Sequence, residues 1–97
     1  MTTPVEAKLF SNISATTAAF TLLGGAYLVA CVATFGGGSV DLQMLGPDQT
    51  SWLATPTATH FTANGAIGPV YVPPGQYRFL ITTASAVFVS VAEIPLG

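Results

Sequence analysis

The sequence predicts an all-β domain: a small antiparallel β-sandwich or jelly-roll of seven or eight short strands, with an extended N-terminal arm. Three observations lead there. Short apolar runs rich in Val, Ile, Tyr, Phe and Thr recur, several with strict alternation. Turn-forming Gly, Pro, Asn and Asp separate them at close, regular spacing. No stretch sustains a helical period, which disfavours a parallel α/β fold. The chain has 97 residues, enough for one domain with a thin-margined core. We place the arm at residues 1–17 and a single sandwich domain at residues 18–97.

The arm is polar and threonine-rich, and Pro4 argues against an early helix. Val5, Leu9, Phe10 and Ile13 are apolar anchors without a period. A free arm of this kind would be disordered. Either a neighbouring subunit or its own domain is expected to hold it, with order reaching Met1.

Residues 18–23 read as a first strand, and Gly24-Gly25 as a hairpin turn. Residues 26–35 form a second strand that is apolar on both sides. Tyr27, Val29, Cys31, Ala33 and Phe35 share one face; Ala26, Leu28, Ala30, Val32 and Thr34 share the other. A strand of that pattern is covered on both sides. A sandwich covers one, so either a second subunit covers the other or its small alanines are tolerated at a surface. Gly36-Gly37-Gly38 is the next turn. In residues 39–45, Val40, Leu42 and Met44 point inward while Asp41 and Gln43 point outward.

Gly46-Pro47-Asp48-Gln49 is a turn before a short strand, residues 50–54, that carries the sole tryptophan, Trp52. Pro56 keeps the following linker out of a regular sheet. Residues 60–63 form a short strand, and Asn64-Gly65 signals a type I′ hairpin. Residues 70–72 and 77–81 flank Pro73-Pro74-Gly75-Gln76 and are expected to form a further hairpin, with Gly75 at positive φ. Its register would turn Tyr77, Phe79 and Ile81 inward and Arg78 outward. In the last strand, residues 86–93, Val87, Val89 and Val91 share one face and Phe88, Ser90 and Ala92 the other; Pro95 ends it.

Composition narrows the function. Half of the chain (51%) is hydrophobic and only 6% is charged, against roughly 25% charged in an ordinary soluble domain. A free monomer with so few charges would be poorly soluble, so burial in an assembly or contact with a membrane is implied. Net charge is −2, and the only cations are Lys8 and Arg78. That excludes a phosphate-binding nucleic-acid surface.

Residues 18–35 carry no charge and reach the length of a membrane-spanning helix. Gly24-Gly25 breaks the run, and its β-branched and aromatic residues favour a strand, so a membrane partner is disfavoured. Leu28-Val29-Ala30-Cys31 has the outline of a lipoprotein cleavage site, against the simpler reading of Cys31 as a small hydrophobe in a strand.

No catalytic set is legible. His60 is the sole histidine, and no serine sits in a nucleophile elbow. Asp41 and Asp48 flank a turn but make a poor calcium site alone. We therefore expect no enzyme activity, catalytic residue, metal site or cofactor. Exposed aromatics such as Trp52, Tyr71 or Tyr77 leave a glycan site open.

Two stretches carry a resemblance. One runs Gly37-Gly38-Ser39-Val40-Asp41-Leu42-Gln43-Met44-Leu45-Gly46-Pro47-Asp48 and is followed by Trp52. The other is Val70-Tyr71-Val72-Pro73-Pro74-Gly75-Gln76-Tyr77-Arg78. In that order, over residues 20–94, the chain resembles small virion structural proteins of tailed bacteriophages. That resemblance implies a capsid decoration or cement protein on the virion surface. Its partners would be itself, as a homo-oligomer such as a trimer, and the major capsid protein. The alternatives are a tail, neck or fibre component, or a glycan-binding host-attachment module. The resemblance transfers no functional residue. From the residues themselves, Phe10, Trp52 and Phe88 are candidate interface anchors, with Trp52 and Phe88 equally readable as core. Arg78 is a candidate contact to a carboxylate of a neighbour, or a solvated arginine at a strand edge.

Overall fold

The computed structural model describes residues 7–55 and 59–94. The expected order at Met1, the Pro56 linker and the Pro95 terminator fall outside them. Among the described residues there are nine strands: β1 (Ala7–Ile13), β2 (Phe20–Leu22), β3 (Gly25–Thr34), β4 (Ser39–Leu45), β5 (Trp52–Ala54), β6 (His60–Phe61), β7 (Gly65–Val72), β8 (Gly75–Thr82) and β9 (Ser85–Glu93). No helix among them is long and apolar enough to cross a membrane. Residues 18–35 instead supply β2 and β3.

The strands form two sheets, ordered β1-β9-β3-β7 and β2-β8-β4-β5, with β6 also pairing with β4. All pairings are antiparallel, and they join β1 to β9, β2 to β8, β3 to β7, and β4 to both β5 and β6. The chain is thus one long double ribbon, folded back at the β4–β5 turn and rolled up. Successive lengths of the ribbon fall in opposite sheets, and the pairings β3–β9 and β4–β8 close each sheet. This is jelly-roll connectivity. Residues 7–13 of the expected arm form β1 within the protein's own sheet.

The roll corrects three expected hairpins. β2 and β3, β6 and β7, and β7 and β8 are consecutive, but the members of each pair lie in different sheets. The Gly24-Gly25, Asn64-Gly65 and Pro73-Pro74-Gly75 turns are therefore corners. Of the turns predicted as reversals, Gly46-Pro47-Asp48-Gln49 closes a true hairpin, between β4 and β5, with Gly46 N–H donating to Ser51 O at 2.6 Å. The physical reason is that each strand finds its ladder partner elsewhere in the chain: β2 on β8, β3 on β7 and β9, β6 on β4, and β8 on β4. Gly75 is not at positive φ; it lies within β8, opposite Leu22.

Each corner turns together with the corner of the strand beside it. At one end Gly24, with φ +95°, sits so close to Pro74 that a Cβ there would lie 2.9 Å from the proline Cδ. Tyr27 and Tyr77, both fully buried, tie this place together. Gly24 N–H donates to Tyr27 Oη at 3.1 Å and Tyr27 Oη–H donates to Gly24 O at 3.3 Å. Tyr77 Oη–H donates to Pro73 O at 2.5 Å. At the other end, a Cβ on Gly38 would fall 1.8 Å from Thr82 O. The Asn64 corner is fastened by its side chain, whose Oδ1 accepts from Ala33 N–H at 2.9 Å.

Between the sheets lies the core. Val40 and Leu42 of β4, Tyr77 and Phe79 of β8, and Val87, Val89 and Val91 of β9 are buried, on the faces their alternation predicts. Tyr27, Val29 and Cys31 of β3 meet them. Burial pushes the Cys31 thiol above its ordinary pKa. Where β2 stops, Thr17 Oγ1 accepts from Phe79 N–H at 3.0 Å and Thr16 Oγ1 from Ile81 N–H at 3.2 Å. Two hydroxyls thus continue the ladder along β8.

Gly38→Ala is expected to lower the unfolding free energy by about 3 kcal/mol, since the added methyl meets a backbone carbonyl that cannot give way. Gly65→Ala, where a Cβ meets nothing within 4 Å, should stay within about 0.5 kcal/mol of the parent. Urea unfolding compares them; equal midpoints would contradict the nested-corner account.

Candidate functional site

The two outer faces of the sandwich differ in chemistry. On β4, alternation sends Ser39, Asp41 and Gln43 outward, and register places Arg78 of β8 and Ala54 of β5 opposite Gln43. Arg78 Nε–H donates to Gln43 Oε1 at 2.8 Å, and its guanidinium carbon stands 4.5 Å from the centre of the Trp52 ring. A cation over an aromatic face is attractive, so Arg78 clamps β8, β4 and β5 together. Asp41 is opposite His60 of β6, and their side chains are bonded, His60 Nδ1 to Asp41 Oδ1. Because a carboxylate only accepts, Nδ1 carries the proton. Ser39 Oγ–H donates to Asp41 Oδ2 at 3.2 Å.

A cavity of about 160 Å³ opens where β4 passes from β5 to β6, lined by Asp41, Gln43, Ala54, Thr55, Thr59 and His60. The buried Thr55 and Thr59 hydroxyls bond to each other at 3.0 Å. Among the described residues no three His, Cys, Asp or Glu side chains gather as a metal site. Asp48 lies in the β4–β5 turn with partners of its own. It accepts from Ser51 Oγ at 2.6 Å, Ser51 N–H at 2.9 Å and Thr50 N–H at 3.1 Å.

The outer face of the β1-β9-β3-β7 sheet is apolar. Leu9 (71% exposed), Leu28 (43%), Val32 (55%), Tyr71 (61%) and Phe88 (45%) lie on it, five of the seven large hydrophobic side chains exposed among the described residues. Register aligns them in rows: Leu28 with Ala92 and Ala7, then Ala30 with Ser90, Leu9 and Ala66, then Val32 with Phe88. Leu28 lies over Gly68, where a Cβ would be 2.7 Å from its Cδ1. The charged residues of these strands are Lys8 and Glu93. They pair with Val91 and Tyr27, which face the core, so both point off this outer face. Among the described residues this face is contiguous, apolar and free of charge, the character that interaction surfaces share.

The four candidate anchors fall in three places. Phe10 packs inward, its ring 5.5 Å from Phe20 and 5.8 Å from Phe79. Trp52 and Arg78 meet on the polar face, and Phe88 stands on the apolar one. Tyr77 is fully buried and offers no sugar platform. Leu28 and Val32 are not among the four candidates, although the two-sided apolar pattern of residues 26–35 is their signal; Leu9, an apolar anchor of the expected arm, stands on the same face in β1. The Asp41–His60 pair had no signal, since only the β4–β6 register joins residues so far apart in sequence.

Comparison of the chain with protein-family models, with curated proteins and with solved structures gives no match.

The hydrogen bonds from Ser51, and then Thr50, hold the Asp48 carboxyl down at about 2, from an ordinary 3.8. Its folded value lies below its unfolded one, so its turn contacts stabilise the fold in full above the ordinary value. They are lost as pH falls through about 2. An NMR titration should find the Asp48 midpoint near that low value and see it rise in Ser51→Ala. An ordinary midpoint in the parent would contradict the turn geometry.

Proposed function

We propose that the chain is a non-enzymatic structural subunit of a virion, a decoration protein that stabilises a phage head by burying apolar surface against like copies and the shell. The observation that carries this reading is the charge-free outer face of the β1-β9-β3-β7 sheet. A domain with so few charges and so much exposed Leu, Val, Phe and Tyr is suited to life inside an assembly. The jelly-roll, an architecture that viral capsid domains also use, agrees by analogy of fold only.

A second reading has its own observation. Asp41, Gln43 and His60 line the 160 Å³ recess with carboxylate, amide and imidazole groups, and Trp52 stands near by under Arg78, which bonds Gln43. That is chemistry suited to a sugar hydroxyl and ring face, so a host-attachment module is the alternative.

Mass spectrometry of purified particles of the encoding phage is expected to recover the chain in many copies, and recovery in the head fraction would support decoration. Particles free of it would overturn the virion reading. A glycan array tests the alternative. Binding abolished by both Trp52→Ala and Gln43→Ala favours it, and an array without binding removes it.

A further inference from the structure

We infer that the outer face of the β1-β9-β3-β7 sheet is a self-complementary interface whose occupant is a second copy of this chain, stacked face to face about a two-fold axis. The inference rests on the structural-subunit reading and names the partner of its apolar face. Three features of the face select a second copy.

The first is relief. Ala66, Ala30 and Ser90 form a trough of small side chains across β7, β3 and β9, closed at the β1 edge by Leu9 of the same row. Beside it stand the larger Val32 and Phe88 on one side and Leu28 on the other, in adjacent rows of the same sheet. A surface that carries both a ridge and the trough beside it can receive itself, since a two-fold operation sets each copy's ridge into the other's trough. Self-complementarity of this kind is what an isologous contact demands.

The second is charge. A copy of an acidic protein meets its own charges at any two-fold interface, and like charges brought together cost several kcal/mol. This face avoids that cost. The chain's net charge is −2, yet Lys8 and Glu93 turn away from the face, and Asp41, His60 and Arg78 lie on the opposite sheet.

The third is area. At roughly 200 Å² for a fully exposed large side chain, the exposed parts of Leu9, Leu28, Val32, Tyr71 and Phe88 come to about 550 Å². Ala7, Ala66, Ala92 and their neighbours bring the face toward the roughly 800 Å² per partner of a standard interface. Two sheets stacked this way would pack about 10 Å apart.

Analytical ultracentrifugation of the full chain, at tens of micromolar, is expected to find a dimer. Val32→Lys and Phe88→Lys place a charge beside the trough and should each weaken the dimer roughly 30-fold or more, as loss of a central contact does. Gln76→Lys, on the opposite sheet, should leave it unchanged. Far-UV circular dichroism and thermal melting identify any variant that misfolds; Leu9→Lys, at an exposed edge-strand position, then replaces it.

A parent chain that stays monomeric overturns the inference. So does a dimer indifferent to these lysines, or a closed trimer in place of a pair. A monomer that is still recovered in purified particles assigns the face to the shell protein and leaves the subunit reading standing. A monomer that floats with neutral phosphatidylcholine vesicles assigns it to lipid. A lysine-sensitive dimer missing from particles does the reverse, keeping the pairing and removing the virion.

Discussion

The fold depends on close backbone contact where the double ribbon passes from one sheet to the other. A ribbon can turn a corner only if both of its strands turn together, and at that point neither strand has a ladder to satisfy its polar groups. This protein meets the demand with missing atoms and with hydroxyls. Gly24 leaves room for Pro74, and Gly38 for the carbonyl of Thr82. The Tyr27 and Tyr77 phenols reach from the core to Gly24 and Pro73, and the Asn64 amide bonds the neighbouring β3. The Gly24 and Pro73 bonds are part-buried and the Asn64 bond is exposed, and each gives a backbone group near a corner a side-chain partner. The aromatic bodies of the two tyrosines meanwhile fill the space between the sheets.

The corners also set the chemistry of the outer surfaces. They fix which strands lie side by side, and so which outward residues become neighbours. In one sheet, β4 at the centre gathers Asp41, Gln43, Arg78, Trp52 and His60 into a network whose members satisfy one another. In the other, β3 and β9 at the centre bring Leu28, Val32 and Phe88 together with nothing polar larger than serine between them. Six charges in the whole chain leave almost none to spare for a second polar face. The segregation leaves one outer side polar and the other apolar.

Much of this was legible beforehand. The alternation of Val40, Leu42 and Met44, and of Val87, Val89 and Val91, assigned the inward faces of β4 and β9 correctly, because side-chain direction in a strand is a local property. The apolar pattern of β3 on both sides predicts a strand covered on both; the core covers one face, and Leu28 and Val32 of the other are exposed. Trp52 and Arg78 were singled out separately, and their contact depends on β5 and β8 both lying near β4. Phe10 was singled out as an anchor and proves to belong with Phe20 and Phe79, since β1 joins the sheet and turns that ring inward.

By itself the sequence determined the class of fold, the centres of most strands and the positions of several turns. It did so through period-two alternation and the conformational limits of glycine and proline, which act over a few residues. But β1 lies in the expected arm, β7 begins at Gly65 rather than at residue 70, and Gly75 and Gln76 belong to β8 rather than to a turn. Only the tertiary structure decided whether a turn reverses a strand within its sheet or carries it to the other one. Gly24-Gly25, Asn64-Gly65 and Pro73-Pro74-Gly75 were each expected to close hairpins, and each makes a corner. The local signal is the same in both cases. What separates them is which distant strand offers its edge: β9 to β1 and β3, β8 to β2 and β4, β3 to β7. That choice is made by burial and hydrogen bonding between segments far apart in the chain, and no short window of residues contains it.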